Sequence, residues 1–312
     1  MRKFTYFLFL LSLSLGLTAQ SGHDIKINLK GCTDTNVYLV VHFWESNNIV
    51  DSCKKVKNGQ IQFKGKNELE KGYYILVNQA KNTTIFEFLI NENQKFSISA
   101  DKADLTGTLK AVGSKENEQL FSFNKFFADK NKEFEGFLKE TKGKSKPDSI
   151  KFIGDKIKLL SGQARVYDSL FKIKNKGTFI NDFFNLRIEK QAQANEIPKA
   201  KNGRPDSIFQ YYYYKEHFFD GIDFKDERLI RTPYFDDRIK KYFDVIIVQH
   251  PDTVIQEIDK IMSKCAEGTL MYQLLVGHFT YKYEQNRTMS FDKSGNSITY
   301  EKVFVHLADR YI

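Results

Sequence analysis

Cysteine, histidine and carboxylate side chains are the groups here that could act as nucleophile, base or metal ligand, and their spacing limits what they can do. Cys32, Cys53 and Cys265 lie too far apart for a Cys-x-x-Cys redox pair and match no common zinc signature. In an oxidising compartment Cys32 and Cys53 could be joined, leaving Cys265 free; three isolated thiols behaving as small hydrophobes are the alternative. His23, His42, His217, His250, His278 and His306 include no His-Glu-x-x-His and no pair at i, i+4. No Gly-x-Ser-x-Gly occurs. Gly143-Lys144-Ser145 ends like a phosphate-binding loop, yet Leu138 stands where its first glycine belongs, and helix rather than strand precedes it. The expectation is a chain with no catalytic residue, metal or cofactor of its own.

The most distinctive stretch runs from Tyr211 to Tyr234. Tyr211, Tyr212, Tyr213 and Tyr214 sit on a short aromatic helix, followed by His217 and then Asp220, Asp223, Asp226 and Glu227. Of four consecutive helix positions, two must face outward, which makes these rings, with His217, Asp220 and Asp223, the candidate surface for a glycan or peptide. The carboxylates could hold a hard cation but lack the calcium-loop pattern, so capping and pairing with Arg228 or Arg231 is the plainer reading. A second short helix must stop before Pro233.

The elements that would position these residues fall into two kinds. Residues 24–113 alternate with period two: Ile25, Ile27, Leu29; Val37, Leu39, Val41; Ile49 to Val56; then Asn58-Gly59 before Ile61 and Phe63. Tyr73 to Val77, Ile85 to Ile90, Phe96 to Ser99 and Leu105 to Val112 complete eight short strands, an antiparallel β-sandwich. From Ser114, a good N-cap, residues 114–312 read as helices in a bundle or an array of helix pairs, giving an α+β chain of two domains. Ile150, Ile153, Ile157, Leu160, Ala164, Tyr167 and Phe171 form a helical stripe expected to be bundle core. Lys146-Pro-Asp-Ser-Ile150, Arg204-Pro-Asp-Ser-Ile208 and His250-Pro-Asp-Thr-Val254 each open a helix, with the aspartate or hydroxyl expected to cap; Asp-Ser/Thr-apolar is also an O-glycan acceptor pattern in some Gram-negative exported proteins, and Asp168-Ser-Leu170 is a fourth match.

Residues 1–19 have the form of a secretory signal: Arg2 and Lys3, an apolar run from Phe7 to Leu17, and cleavage expected after Ala19. The chain has 48 Lys plus Arg against 39 Asp plus Glu, +9, which becomes +7 once Arg2 and Lys3 leave. The signs are interleaved, and an exported chain with no arginine-rich arm is not expected to meet nucleic acid. No apolar run after the leader is long enough to span a membrane.

The strand order of residues 24–113 is similar to transthyretin-like (prealbumin-like) sandwiches. Asp51-Ser52, Asn58-Gly59-Gln-Ile-Gln-Phe63, Gly113-Ser114-Lys-Glu-Asn117, Tyr211 to Pro233, His250-Pro-Asp-Thr-Val254 and Phe304-Val-His-Leu-Ala-Asp-Arg-Tyr311, in that order, resemble the amino-terminal region of exported thioredoxin-like thiol-disulfide oxidoreductases of the TlpA/ResA kind. The resemblance covers the mature chain. It implies a periplasmic accessory region that docks, dimerises or selects exported partner proteins for a thioredoxin fold, in cis or in trans. The fold bearing Cys-x-x-Cys would begin where this sequence ends, at Ile312, so the family's catalytic residues have no matching positions here.

Overall fold

The computed structural model describes residues 22–143, 145–285, 290–291 and 297–312. The signal segment and its cleavage after Ala19 lie outside the described residues. Eight strands follow the alternation: β1 (His23–Lys30), β2 (Asn36–Phe43), β3 (Ser46–Lys54), β4 (Gln60–Gly65), β5 (Gly72–Asn78), β6 (Thr83–Ile90), β7 (Lys95–Asp101) and β8 (Lys110–Val112). They form two four-stranded sheets, ordered β4-β1-β7-β8 and β3-β2-β5-β6. Inward residues of both sheets share one core, with Phe88 of β6 meeting Phe96 of β7 edge to face at 6.1 Å. Asn58 (φ 52°) and Gly59 (φ 73°) are both left-handed, which a two-residue type I′ turn requires. A Cβ on Gly59 would lie 2.0 Å from the Leu29 carbonyl oxygen, so only glycine fits.

Two details differ from expectation. β1 and β7 pair in parallel, because β7 enters the sheet only after the chain has visited the opposite one; the other pairs of the sandwich are antiparallel. The eighth strand is also shorter than Leu105 to Val112. Asp104 accepts a hydrogen bond from the Gly107 N–H and starts a helical turn, α1 (Leu105–Thr108), leaving three residues for β8.

The helices are α2 (Lys115–Glu140), α3 (Lys146–Lys174), α4 (Phe179–Asn185), α5 (Ser207–Glu216), α6 (Phe235–Lys241), α7 (Pro251–Met262), α8 (Leu270–Gln285) and α9 (Glu301–Tyr311). A 3₁₀ turn at Glu227–Arg231 stops ahead of Pro233, and a π turn at Tyr242–Ile246 extends α6. At the three Pro-Asp repeats helices do begin, but the caps are Ser145, Asp206 and His250. Only the middle copy caps with its aspartate. In the other two, proline occupies the first turn, where its missing N–H costs nothing, and the residue before the helix takes over capping.

The sandwich and the helices meet at a joint. Asn117 is fully buried; its amide accepts from the Leu89 N–H and donates to the Leu89 carbonyl, both at 2.7 Å, and also donates to Ser114 Oγ. β6 is an edge strand, so Asn117 satisfies it as a neighbouring strand would, each bond contributing about 1 kcal/mol. Further along, Tyr73 stacks on Phe183 at 5.6 Å, the Trp44 N–H donates to the Ile230 carbonyl, and the Trp44 ring sits 6.0 Å from Phe235.

One helical stripe does not do what its spacing suggests. Of α3 only Phe171 is buried, while Ile150 is 65% and Ile157 48% exposed. Helix periodicity shows that these residues share a face; it does not show that anything covers it. α2 and α3 form a hairpin arm whose base is packed by Phe123, Phe171 and Phe184, with Phe123 4.8 Å from Phe171 and 4.2 Å from Phe184. Farther out the two helices meet through Phe126 on Tyr167 (3.8 Å), Phe137 against Phe152 (6.2 Å) and Lys156 over the Phe137 ring (4.3 Å). α2 is about 39 Å long and α3 about 43 Å.

Candidate functional site

The tyrosine cluster is mostly consumed by the fold. Asp206 caps α5 by accepting from the Ile208 and Phe209 N–H groups. Tyr211 donates to the Ile246 carbonyl (2.9 Å) at the end of the π turn. Tyr214 donates to Glu189 (2.6 Å), which also receives Lys241. Tyr213 lies 4.3 Å from the ring of His217. Tyr212 is 60% exposed and is the ring left facing solvent. Beside it, Gln191, Ala192, Gln210, Tyr211 and Tyr214 line a depression of about 310 Å³.

His217 and Asp220 do come together at 2.8 Å, and Lys190 reaches Asp220 at 3.0 Å. Partial burial works against the charged form of Asp220, but bonds from Lys190 and His217 hold its carboxyl below the usual range. It is a partly screened ion-pair cluster. Asp223 accepts from the Lys225 N–H and shapes the turn, while Asp226 takes Arg228 through two nitrogens at 2.8 and 2.7 Å. Arg228 also donates to Asn91 (3.2 Å) and lies over the Phe179 ring, so this carboxylate serves the seam between sandwich and helices. Among the described residues no group of three or more His, Cys, Asp or Glu could hold a metal ion.

The Cys32–Cys53 pairing left open by the sequence is not made: all three cysteines are free. Cys32 follows β1, in one sheet, and its thiol points to Asp34 (3.6 Å), whereas Cys53 stands opposite Val37 on β3, in the other sheet. Burial raises the Cys32 thiol above its usual range and pushes Cys265 up to about 11.

The arm is the feature that residue-by-residue searching for chemistry missed. Between α2 and α3, Phe126, Leu159, Val166, Tyr167 and Leu170 line an open groove of about 630 Å³. On the opposite side a second hollow of about 470 Å³ lies among Phe123, Phe127, Phe184 and Arg187. The signal was present in the sequence: a second apolar stripe on α3, Phe152, Leu159, Val166 and Ile173, spaced by seven.

Residues 23–120 match the model of a family described as Domain of unknown function (DUF4369), and residues 166–301 match one described as Domain of unknown function (DUF5106). The first takes in the sandwich and the root of α2, and the second begins within α3. Residues 121–165, most of the arm, fall between them. No curated protein matches the chain.

Proposed function

We propose that this chain is a non-catalytic accessory module of the cell envelope, exported and working beside a thioredoxin-like thiol-disulfide oxidoreductase, for which it holds or selects partner proteins. The observation that carries this reading is the arm: most rings elsewhere are spent on the chain's own core, while one long helical face carrying apolar and basic residues is left largely unpacked. The thiols support the non-catalytic half. Exchange needs thiolate, and a thiol with a pKa of about 11 is ionised in about one molecule in ten thousand at neutral pH. The order of sequence motifs supports the association with an oxidoreductase.

The test is a disulfide-reduction assay with the mature chain, alone and with an exported thioredoxin-like oxidoreductase from the same envelope. Alone, the chain is expected to leave the substrate disulfide unreduced; with the oxidoreductase, calorimetry is expected to show a complex. Reduction by the chain alone, lost in Cys265→Ala, overturns the reading. A second reading, a glycan- or peptide-binding surface, is favoured by the exposed Tyr212 ring beside the α5 depression. It predicts a ligand-dependent rise in melting temperature that Tyr212→Ala removes.

A further inference from the structure

α3 carries a heptad register that the fold uses at Phe152, which meets Phe137, and leaves exposed from Leu159 onward. Lys151-Phe152, Lys158-Leu159, Arg165-Val166 and Lys172-Ile173 repeat a cation followed by an apolar residue at every seventh position. Positions seven apart drift by only about 20° around a helix, so these residues form two stripes running side by side for about 32 Å. The apolar stripe is open to solvent: Val166 is 61% and Ile173 72% exposed. Of the cations, Lys172 is paired with Asp168 at 2.6 Å, whereas Lys151, Lys158 and Arg165 make no ion pair among the described residues.

The surroundings of the stripes indicate what would cover them. Leu159, Val166 and Leu170 are about half or more exposed, and with Phe126 of α2 they line a shallow trough that also takes in Lys158 of α3 and Lys130 of α2. At mid-length Gly162 leaves the trough open, with nothing within 4 Å of where a Cβ would stand. A shallow groove between two antiparallel helices with a seven-residue apolar register fits another helix laid along it. The charged residues lining the trough are Lys130, paired with Glu133, and Lys158, and no carboxylate lines it among the described residues, so its charge is basic. A second copy of the chain would set one basic rim against another.

We infer that the α2–α3 trough receives an amphipathic helix of a partner protein, with Glu or Asp flanking its apolar stripe at heptad spacing, to complete a three-helix bundle. The inference rests on the accessory-module reading and names the partner chemistry of the same arm. Apolar side chains from the incoming helix cover Leu159, Val166 and Leu170, and its carboxylates reach Lys151, Lys158 and Arg165.

The experiment uses the mature chain and a fluorescently labelled four-heptad peptide with a leucine stripe flanked by glutamates, beside the same peptide with lysines in place of the glutamates. Anisotropy at low salt is expected to show the glutamate peptide binding at least about tenfold more tightly, with the gap narrowing as salt rises. Leu159→Ser with Val166→Ser is expected to weaken binding at least about tenfold without moving the thermal melt, because both side chains are exposed. Lys151→Glu with Lys158→Glu and Arg165→Glu is expected to reverse the preference between peptides, which a merely structural role for these residues would not do. The inference is overturned if the glutamate peptide does not bind, if charge reversal leaves the preference unchanged, if phosphatidylglycerol vesicles bind while neither peptide does, or if the serine variant instead dissociates a dimer. Peptide failure with the oxidoreductase complex intact removes this inference alone; reduction by the chain alone removes the accessory reading and leaves the peptide result standing.

Discussion

His278, on α8, has Nε2 buried without a hydrogen-bond partner, and its ring lies 5.0 Å from Trp44 at the seam between sandwich and helices. Burial pushes its pKa down to about 4; Lys282 and Lys240 add to the shift, and Glu45 and Asp244 oppose it. Near neutral pH the imidazole is largely uncharged in both folded and unfolded chains, so it adds little pH-dependent cost there. As pH falls below about 6.5 the unfolded chain takes up a proton that the folded one refuses, so stability falls until about pH 4, where the folded form also protonates. The expected loss between about pH 7.5 and pH 5 is about 2 kcal/mol from this residue. Urea midpoints at those two pH values, for the wild type and His278→Phe, check it: the wild type should lose about 2 kcal/mol more than the variant. Equal losses would mean that the seam opens to water around His278.

Among the elements, the strands were largely legible because a half-buried strand shows its period of two directly in the sequence. The miss at Leu105–Thr108 came from Asp104, whose local cap outcompeted the apolar alternation that followed it. α3 was legible as a helix, but its burial was not, since whether a stripe is covered depends on tertiary neighbours. For the same reason the candidate surface shrank: Tyr211 and Tyr214 found partners at Ile246 and Glu189, residues distant in sequence, and only Tyr212 kept the expected exposure. The heptad of exposed apolar residues on α3 needed only counting by sevens. Since the arm is buried only at its base, the outer arm should be dispensable for folding. Replacing residues 134–160 with a short Gly-Ser turn, which keeps the Phe126–Tyr167 stack, is expected to lower the melting temperature by no more than about 5 °C while abolishing peptide binding. Loss of the cooperative melt in that variant would show that the arm belongs to the core.

Across the whole molecule, the sandwich and the helices share one apolar core and are not beads on a linker. Gly72 opens β5 directly beneath Arg231, so that an added Cβ would lie 2.5 Å from the Arg231 Cβ and 3.0 Å from its carbonyl oxygen. Gly72→Ala is therefore expected to cost about 2 kcal/mol by forcing the seam apart. Trp44, the sole tryptophan, sits in that seam, so its fluorescence reports the joint while far-UV circular dichroism reports the whole chain. The two denaturation curves are expected to coincide in the wild type; separate midpoints would mean that the halves unfold independently. The Asn117 joint has a further mechanical consequence. α2 runs without a break from beside that joint to Glu140, so the arm is a lever with its fulcrum on the sandwich edge. A swing of about 5° at Ser114 carries the far end through about 3 Å. A load at the tip therefore bears on the β6 joint with a torque that grows with the arm's length, and a subtle adjustment at that joint becomes a larger excursion of the tip.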